Sequence, residues 1–291
     1  MAEWLDRLKV APQYCLPQHL LSRAVKRLSH SKNLFLKSLL IRQFLRAFDV
    51  NLEEALCTSA NDFASFNALF TRKLRADARP VDQRDNIVCC PADGLLSQAG
   101  SIQAGEIIQA KGKYFSSNEI LAEAGDSPSR YNNGFFATIY LAPNDYHRVH
   151  VPLDSKLLHV RYIPGDLFSV NARTARVVPK LFARNERVVL EFQSAEHGRI
   201  ALVMIGALLV ASIGLEFVDL EPLIYAKNTK EITSVPIEGA PLTVRKGQHL
   251  GWFNMGSTVV MLFEQANVAL NDDLIIGQKV KMGQALGEFK E

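Results

Sequence analysis

Three short segments, far apart in the chain, contain side chains that could carry out a reaction. Asp93 follows an apolar run and precedes a glycine, and His147 and His150 lie close together beside a tyrosine and an arginine. Ser257 directly follows Gly256, so its hydroxyl could attack the preceding carbonyl. A serine, a histidine and an aspartate can supply a nucleophile, its base and the group that orients the base, in any chain order.

The local sequence also allows simpler roles for these residues. Gly256-Ser257 precedes the β-forming run Thr258–Phe263, so it could be only a turn that leads into a buried strand. Asp93 followed by glycine is typical of a turn as well. The two histidines and Asp93 could belong to a zinc hydrolase, although the glutamate of the HExxH motif is missing. The other histidines are predicted to be structural or solvated: His19, His30, His159, His197 and His249.

Two segments near the C-terminus resemble each other. In Val244–Gly251 and Ile276–Gly287, a lysine shortly before Gly-Gln is followed by Leu-Gly. We predict two similar turns that each lead into a strand, as in small barrel-sandwich folds. Lys281 in such a turn raises the alternative of a biotinyl or lipoyl carrier module. A third alternative is a non-enzymatic peripheral membrane protein, in which Ser257 would have no role.

The predicted secondary structure that must position these residues changes from helices to strands near Arg79–Asp82. Beyond this boundary the chain consists of short β-rich segments separated by Gly, Pro, Asn and Asp, which predicts strands. Alternation with long helices is missing, so we expect antiparallel sheets. The predicted strands are 87–90, 95–99, 107–110, 135–141, 156–163, 188–192, 200–205, 208–213, 242–244 and 258–263.

The segment before this boundary is predicted to be helical. Leu20, Leu21, Ala24, Val25 and Leu28 fall on one helical face, and the run 34–48 is amphipathic with Lys37 on its polar stripe. Two further helices are expected at 52–56 and 65–74.

Charge is distributed unevenly along the chain. Residues 7–48 contain nine basic and no acidic residues, so the remainder carries −6 of the total formal charge of +3. Basic amphipathic helices are typical of a membrane interface, and the alternative is a helical cap whose basic face is solvated. Nucleic acid is a weaker prediction, because no binding motif accompanies the basic face.

Composition is that of an ordinary globular protein, with 48% hydrophobic and 22% charged residues. The four cysteines form no CxxC pair, which indicates a reducing compartment. The start of the chain does not predict a secretory signal. The longest nearly apolar run, 200–215, is shorter than the roughly 20 residues of a membrane span.

The sequence resembles the bacterial, pyruvoyl-dependent phosphatidylserine decarboxylases. Phe253–Thr258 contains the Gly-Ser-Thr sequence at which members of that family cleave themselves, with Met255 where leucine is usual. Ala211 stands where the family would have glycine, and Cys89-Cys90 is unusual. The other matching segments are Phe66–Leu74 with Ala78–Pro80, Pro91–Gly94, Gln109–Gly112, Asp145–His150, Phe168–Asn171 and Leu181–Arg187.

The resemblance implies a specific maturation. Ser257 would attack the carbonyl of Gly256, with His150 as the base and Asp93 as its orienting group. Elimination would then break the chain into residues 1–256 and 257–291 and convert Ser257 into a pyruvoyl group, the covalent cofactor. No metal is implied.

The resemblance also implies the reaction and its setting. The pyruvoyl ketone would form a Schiff base with phosphatidylserine and act as an electron sink while carbon dioxide leaves. His147 would assist decarboxylation or protonate the carbanion, and the product would be phosphatidylethanolamine. A lipid substrate favours an anionic membrane surface as a partner, with the protein peripheral on the cytoplasmic face of the cell membrane. A homodimer is a further expectation.

Together these observations predict an α+β protein. Residues 1–80 would form a region of amphipathic helices that associates with the membrane. Residues 81–291 would form a mainly antiparallel, β-rich catalytic domain of the barrel-sandwich type.

Overall fold

A computed structural model describes residues 3–123, 129–208, 212–220, 231–239, 241–264 and 267–290. It combines short helices with antiparallel sheets, which confirms the predicted α+β class. The first five helices precede the first strand. The helices are α1 (Glu3–Val10), α2 (Pro12–Cys15), α3 (Gln18–Ser29), α4 (Leu34–Ala47), α5 (Phe66–Phe70), α6 (Ser117–Leu121), α7 (Ala172–Val177) and α8 (Leu181–Arg184).

The strands are short and are separated by turns, as the punctuation of the sequence predicts. They are β1 (Ile87–Cys89), β2 (Gly94–Ser101), β3 (Glu106–Ala110), β4 (Lys113–Ser116), β5 (Phe135–Leu141), β6 (Arg148–His150), β7 (Ser155–Ile163), β8 (Arg187–Ser194), β9 (Gly198–Ile205), β10 (Ile213–Leu215), β11 (Thr233–Val235), β12 (Leu242–Val244), β13 (His249–Phe253), β14 (Ser257–Phe263), β15 (Val268–Leu270), β16 (Lys279–Val280) and β17 (Ala285–Phe289).

Nine of these strands form the main sheet, in the order β11-β7-β8-β9-β14-β5-β2-β16, with β12 also paired to β7. Two three-stranded sheets, β1-β17-β15 and β10-β13-β6, accompany it, together with the hairpin β3-β4. Every pairing between these named strands is antiparallel. Within the described residues the main sheet is an open path, not a closed ring, so the barrel-sandwich detail is not confirmed.

β14 lies inside the main sheet, between β5 and β9, and all seven of its residues are buried. Successive side chains of a strand point to opposite faces. Val259, Met261 and Phe263 join one hydrophobic cluster, whereas Val260 and Leu262 join a second cluster on the other face. The unbroken apolar run at 258–263 therefore reflects a strand that is covered on both faces.

α3 buries an unexpected side, whereas α4 buries the apolar Ile41 and Phe44 but exposes its first two residues. In α3 the buried residues are Ser22 and Ser29, while Leu20 and Leu28 are 62% and 50% exposed. In α4, Leu34 and Phe35 are 73% and 80% exposed. The apolar stripe that the periodicity predicts for α3 thus faces outward.

The beginning of this region is held against the β-rich body by several contacts. Val10 is buried in one of the two body clusters, and Asp6 accepts a hydrogen bond from Arg176 at 2.8 Å. The side chains of Gln13 and Gln18 accept hydrogen bonds from backbone N–H groups at 169 and 167. The alternative of a packed helical cap therefore describes α1 and α2 better than α3.

Two local predictions for this region are wrong. Lys37 is buried, not on the polar stripe, because its ammonium group donates to the carbonyl oxygens of Asn61 and Phe63 at 3.0 and 2.8 Å. The helix expected at 52–56 is instead a turn in which Ala55 forms an isolated bridge with Leu74. A propensity for helix over five residues is too weak to resist such tertiary pairing.

The predicted strand at 208–213 lies largely outside the described residues, as does Ala211. In the part of the chain that the structure describes, no helix combines the length and the apolar character needed to cross a bilayer.

Candidate active site

Ser257 is the first residue of β14, opposite Leu141 of β5, and its side chain is fully buried. Among the described residues, its hydroxyl has no hydrogen-bond partner. A buried hydroxyl without a partner costs free energy, so a merely structural serine would be expected to cap or to bridge. At Gly256 an added Cβ would meet nothing within 4 Å, so there is open space beside the α-carbon of this glycine.

Asn254 holds in place the segment that leads to the peptide bond between Gly256 and Ser257. Its backbone N–H donates to the carbonyl of Ser212 at 3.0 Å, and its side-chain amide donates to the Ser212 hydroxyl at 2.7 Å. Its side-chain oxygen accepts from Asn67 of α5 at 2.9 Å. Asn254 and Asn67 lie in segments that carry the family resemblance, but no local pattern of residues predicted a role for either of them.

His147 directly precedes β6 and is fully buried, and the centroid of its ring lies 4.0 Å from that of Phe70. Its Nδ1 is 2.9 Å from the carbonyl oxygen of Asp145. A carbonyl only accepts, so Nδ1 carries the proton and Nε2 presents a lone pair. Nε2 has no partner among the described residues, and burial lowers the pKa of His147 to about 3.

His150 has partners at both ring nitrogens. Nδ1 donates to the carbonyl of Gly247 at 2.8 Å, so Nε2 accepts from the hydroxyl of Tyr146 at 3.0 Å. Burial lowers the pKa of His150 to about 4, which makes the neutral ring the dominant form at neutral pH.

Asp93 is held by an arginine, not by a histidine. Arg79 donates to both carboxylate oxygens, with its Nη2 2.5 Å from Oδ2, and also donates to Glu54 at 2.7 Å. The backbone N–H of Met282 donates to Asp93 at 2.8 Å. The expected hydrogen bond from His150 to Asp93 is therefore not formed here, because both groups have other partners. Arg79 lies in one of the segments that carry the family resemblance, but the resemblance did not imply a role for it.

The two similar C-terminal turns hold these two residues. Gly247 and Gly283 have φ values of +77° and +87°, which favour glycine. In each turn a glutamine side chain, that of Gln248 or Gln284, accepts a backbone N–H from three residues earlier. One turn contributes the Gly247 carbonyl to His150, and the other contributes an N–H to Asp93. The repeated pattern thus predicts the turns correctly. The structure shows in addition that these turns position His150 and Asp93.

A cavity of about 720 Å³ opens beside Asn254, and we call it the main cavity. α5 and the segment 212–220 form its walls, and Arg148 and Trp252 also contribute. A smaller cavity of about 290 Å³, the side cavity, shares Ala68, Thr71 and Arg148 with it. The main cavity reaches Asn254, two residues before Gly256, whereas neither cavity is lined by Gly256 or Ser257.

The described residues contain no group of three or more His, Cys, Asp or Glu side chains that could hold a metal ion. Lys281, the residue that a carrier module would modify, forms an ion pair with Glu54 at 3.3 Å. Neither rival function therefore gains support from the structure.

The chain is similar to known proteins over nearly its whole length. The family model described as phosphatidylserine decarboxylase matches residues 66–288, and a model described as PSD matches residues 8–49. The chain is 43% identical to a phosphatidylserine decarboxylase proenzyme of Alcanivorax borkumensis, over 98% of this chain and 97% of the relative. Identity to the proenzyme of Shewanella amazonensis is 42%, over 99% and 100%, and to that of Legionella pneumophila 40%, over 97% and 98%. The chain belongs to the phosphatidylserine decarboxylase family.

Proposed function

We propose that this chain is a proenzyme that cleaves itself between Gly256 and Ser257 and then decarboxylates phosphatidylserine to phosphatidylethanolamine. The observation that carries the proposal is the buried, unpartnered hydroxyl of Ser257, placed directly after a glycine with open space beside it. A pyruvoyl group formed from Ser257 supplies a ketone that condenses with the substrate amine and accepts electrons as carbon dioxide leaves. No external cofactor is then needed.

In this proposal His150 is the base for self-cleavage and Asp93 orients it. Neutral His150 has a lone pair on Nε2, which a base requires, and Tyr146 must release that nitrogen before Ser257 can use it. Asp93 must likewise exchange part of its contact with Arg79 for His150. His147 assists decarboxylation, which is supported by its neutral, unpartnered Nε2 in a buried position beside Phe70.

Cleavage would leave the smaller chain, 257–291, inside the fold. β14 hydrogen-bonds to β5 and β9 along its length, and β17 pairs with β1 and β15. Since these contacts do not depend on the bond between Gly256 and Ser257, the two chains would remain associated. The expected homodimer stays a prediction.

We further propose that residues 1–80 bind the cytoplasmic face of the cell membrane and that residues 81–291 form the catalytic domain. Exposed apolar side chains beside basic ones are the composition of helices that lie in an interface. The exposed apolar set in the first helices comprises Trp4, Leu8, Tyr14, Leu20, Leu28, Leu34 and Phe35. A peripheral position brings the main cavity, which His30 also lines, close to its lipid substrate.

Replacing Leu34 and Phe35 together by serine is expected to weaken sedimentation with anionic vesicles about tenfold or more, because two large exposed side chains no longer enter the acyl region. The control is Ile275→Ser, since Ile275 is 70% exposed in the C-terminal part of the chain. Equal binding of the double variant and the parent protein would contradict the membrane role of α4.

The reaction is tested with the purified, cleaved protein and phosphatidylserine in detergent micelles. We expect phosphatidylethanolamine and carbon dioxide in equal amounts. Reduction with cyanoborohydride in the presence of substrate should stop the reaction and add mass to the chain 257–291 alone. Mass added to Lys281 without substrate would instead support a carrier module, and loss of activity to chelators would support a metal enzyme.

A further inference from the structure

Arg72 is a buried cation with unused donors. It is 5% exposed, and its Nη2 donates to the carbonyl oxygens of Asn144 and Asp145 at 3.0 and 3.2 Å. Nε and Nη1 have no hydrogen-bond partner among the described residues. A buried guanidinium with unpartnered N–H groups is unfavourable, and burial lowers the pKa of Arg72. Such a group is suited to bind an anion that arrives from outside the chain.

The surroundings of Arg72 are built to admit that anion. Arg72 lines the side cavity, as does Arg148, whose Nε donates to the carbonyl of Thr71 at 2.9 Å. Lys73 lies on the same wall, and Asp62 is the acidic residue there. The wall therefore carries three cationic groups against one carboxylate. Arg148 also lines the main cavity, so an anion bound here could belong to a ligand that extends toward Asn254.

Arg72 is also adjacent to the reaction centre. The carbonyl oxygen of Asp145 accepts from Arg72 Nη2 and from Nδ1 of His147, at 3.2 and 2.9 Å. One oxygen atom thus links the cation to the histidine that we assign to decarboxylation. The positive charge of Arg72 contributes to the lowered pKa of His147, which is a second sign of their proximity.

The substrate of the proposed function offers two anions, a carboxylate and a phosphodiester. The carboxylate loses its charge as carbon dioxide forms, so a strong ion pair with it would stabilise the ground state more than the transition state and slow the reaction. The phosphodiester keeps its charge throughout, and an ion pair with it binds both states equally. A pair of arginines beside the reaction centre is compatible with fast decarboxylation only if it binds the phosphodiester.

We propose that Arg72, assisted by Arg148, binds the phosphodiester of the phospholipid headgroup in the side cavity. The apolar surroundings of His147 and Phe70 are then left for the carboxylate. This inference rests on the proposed function for the identity of the substrate. Phosphodiester binding can nevertheless be measured in a chain that neither cleaves nor reacts.

The binding test uses full-length chains that carry Ser257→Ala and short-chain phosphatidylglycerol below its micellar concentration. This lipid has the same phosphodiester but no amine and no carboxylate. Arg72→Lys is expected to raise the dissociation constant about tenfold, because an ammonium group cannot reproduce the planar, two-donor contact. The matched control is Arg75→Lys, since Arg75 is exposed and paired with Asp77. Equal dissociation constants for Arg72→Lys and the parent chain would overturn the proposal.

The kinetic test uses the same substitutions with Ser257 intact. We expect Arg72→Lys to cleave itself normally, because no headgroup takes part in that step. Its KM for phosphatidylserine should rise about tenfold while kcat changes little, as for an interaction that is equal in ground and transition states. A fall in kcat at unchanged KM would assign Arg72 to the carboxylate or to His147 and overturn the proposal. If Arg72→Lys does not fold, Arg148→Lys, which is less buried, gives the same readout with the same outcomes.

Discussion

Ser257→Ala is expected to yield a single uncut chain of 291 residues that has no detectable decarboxylase activity. The hydroxyl is the proposed nucleophile and also the source of the pyruvoyl ketone, so its removal eliminates both steps. The parent protein should separate into chains of 256 and 35 residues, the smaller with a blocked N-terminus. Intact-mass spectrometry distinguishes these results directly.

The structure makes Ser257→Ala a selective test. The Ser257 hydroxyl has no partner among the described residues, so its loss breaks no hydrogen bond there and should change the free energy of unfolding by less than about 1 kcal/mol. Thr138→Val on the neighbouring strand β5 is the matched control, because Thr138 also has a buried hydroxyl without a described partner. The control should cleave fully. Appearance of the 35-residue fragment from Ser257→Ala would refute the mechanism.

Asp93→Asn is expected to slow self-cleavage by about 100-fold or more. General acid–base catalysis contributes about 10²–10⁴ to a rate, and an amide cannot stabilise a histidinium as a carboxylate does. In the uncut chain, however, Asp93 forms a buried ion pair with Arg79. A loss of cleavage could therefore reflect either the orientation of His150 or damage to this pair. The rate of cleavage must be measured by the appearance of the small chain after rapid synthesis or refolding.

Arg79→Met separates the two explanations, since it removes the cation and retains the carboxylate. Breaking one side of a buried ion pair typically destabilises a protein by about 3–5 kcal/mol, so this variant should unfold at lower denaturant concentration. Molecules that do fold should nevertheless cleave faster than Asp93→Asn, because Asp93 becomes free to contact His150. If both variants cleave equally slowly at matched folded fractions, Asp93 acts only as the partner of Arg79.

The contacts of Asp93 also connect the two regions of the chain. Arg79 links it to Glu54, which in turn pairs with Lys281 in the second C-terminal turn. Asn67 of α5 reaches the segment before the cleaved bond through Asn254. The proposed membrane-binding region therefore contacts the site at several points, which include these two, and a variant that loosens residues 1–80 should be examined for cleavage as well as for binding.

Much of the local structure followed from the sequence alone. Alternating and continuous apolar runs predicted the strands around β5, β7, β8, β9 and β14, because side-chain periodicity is a local property of the backbone. The repeated Gly-Gln segments predicted two turns, since glycine at positive φ is a local requirement. The reactive bond was implied by the resemblance of Phe253–Thr258 to the family's Gly-Ser-Thr sequence, which is also a local feature.

The partners of the polar site residues were decided by the tertiary structure. Asp93 is bonded to Arg79 and to the N–H of Met282, and His150 to Gly247 and Tyr146. The family resemblance implied instead that the two contact each other. Which donor reaches which acceptor depends on how distant segments meet, and Met282 is 189 residues from Asp93.

The sequence also did not predict which charged side chains are buried. The helical periodicity placed Lys37 on the polar stripe of its helix. It is buried instead, because the carbonyl oxygens of residues 61 and 63 accept hydrogen bonds from its ammonium group. Arg72 lies in a segment that resembled the family, yet nothing local distinguishes it from the exposed Arg75 three residues later. The sequence by itself predicted most of the strands, the two turns and, through the family resemblance, the bond that we propose is cut. Only the tertiary structure decided which charged side chains are buried and which of their N–H groups lack a partner. Desolvation depends on neighbours that the chain brings together only by folding.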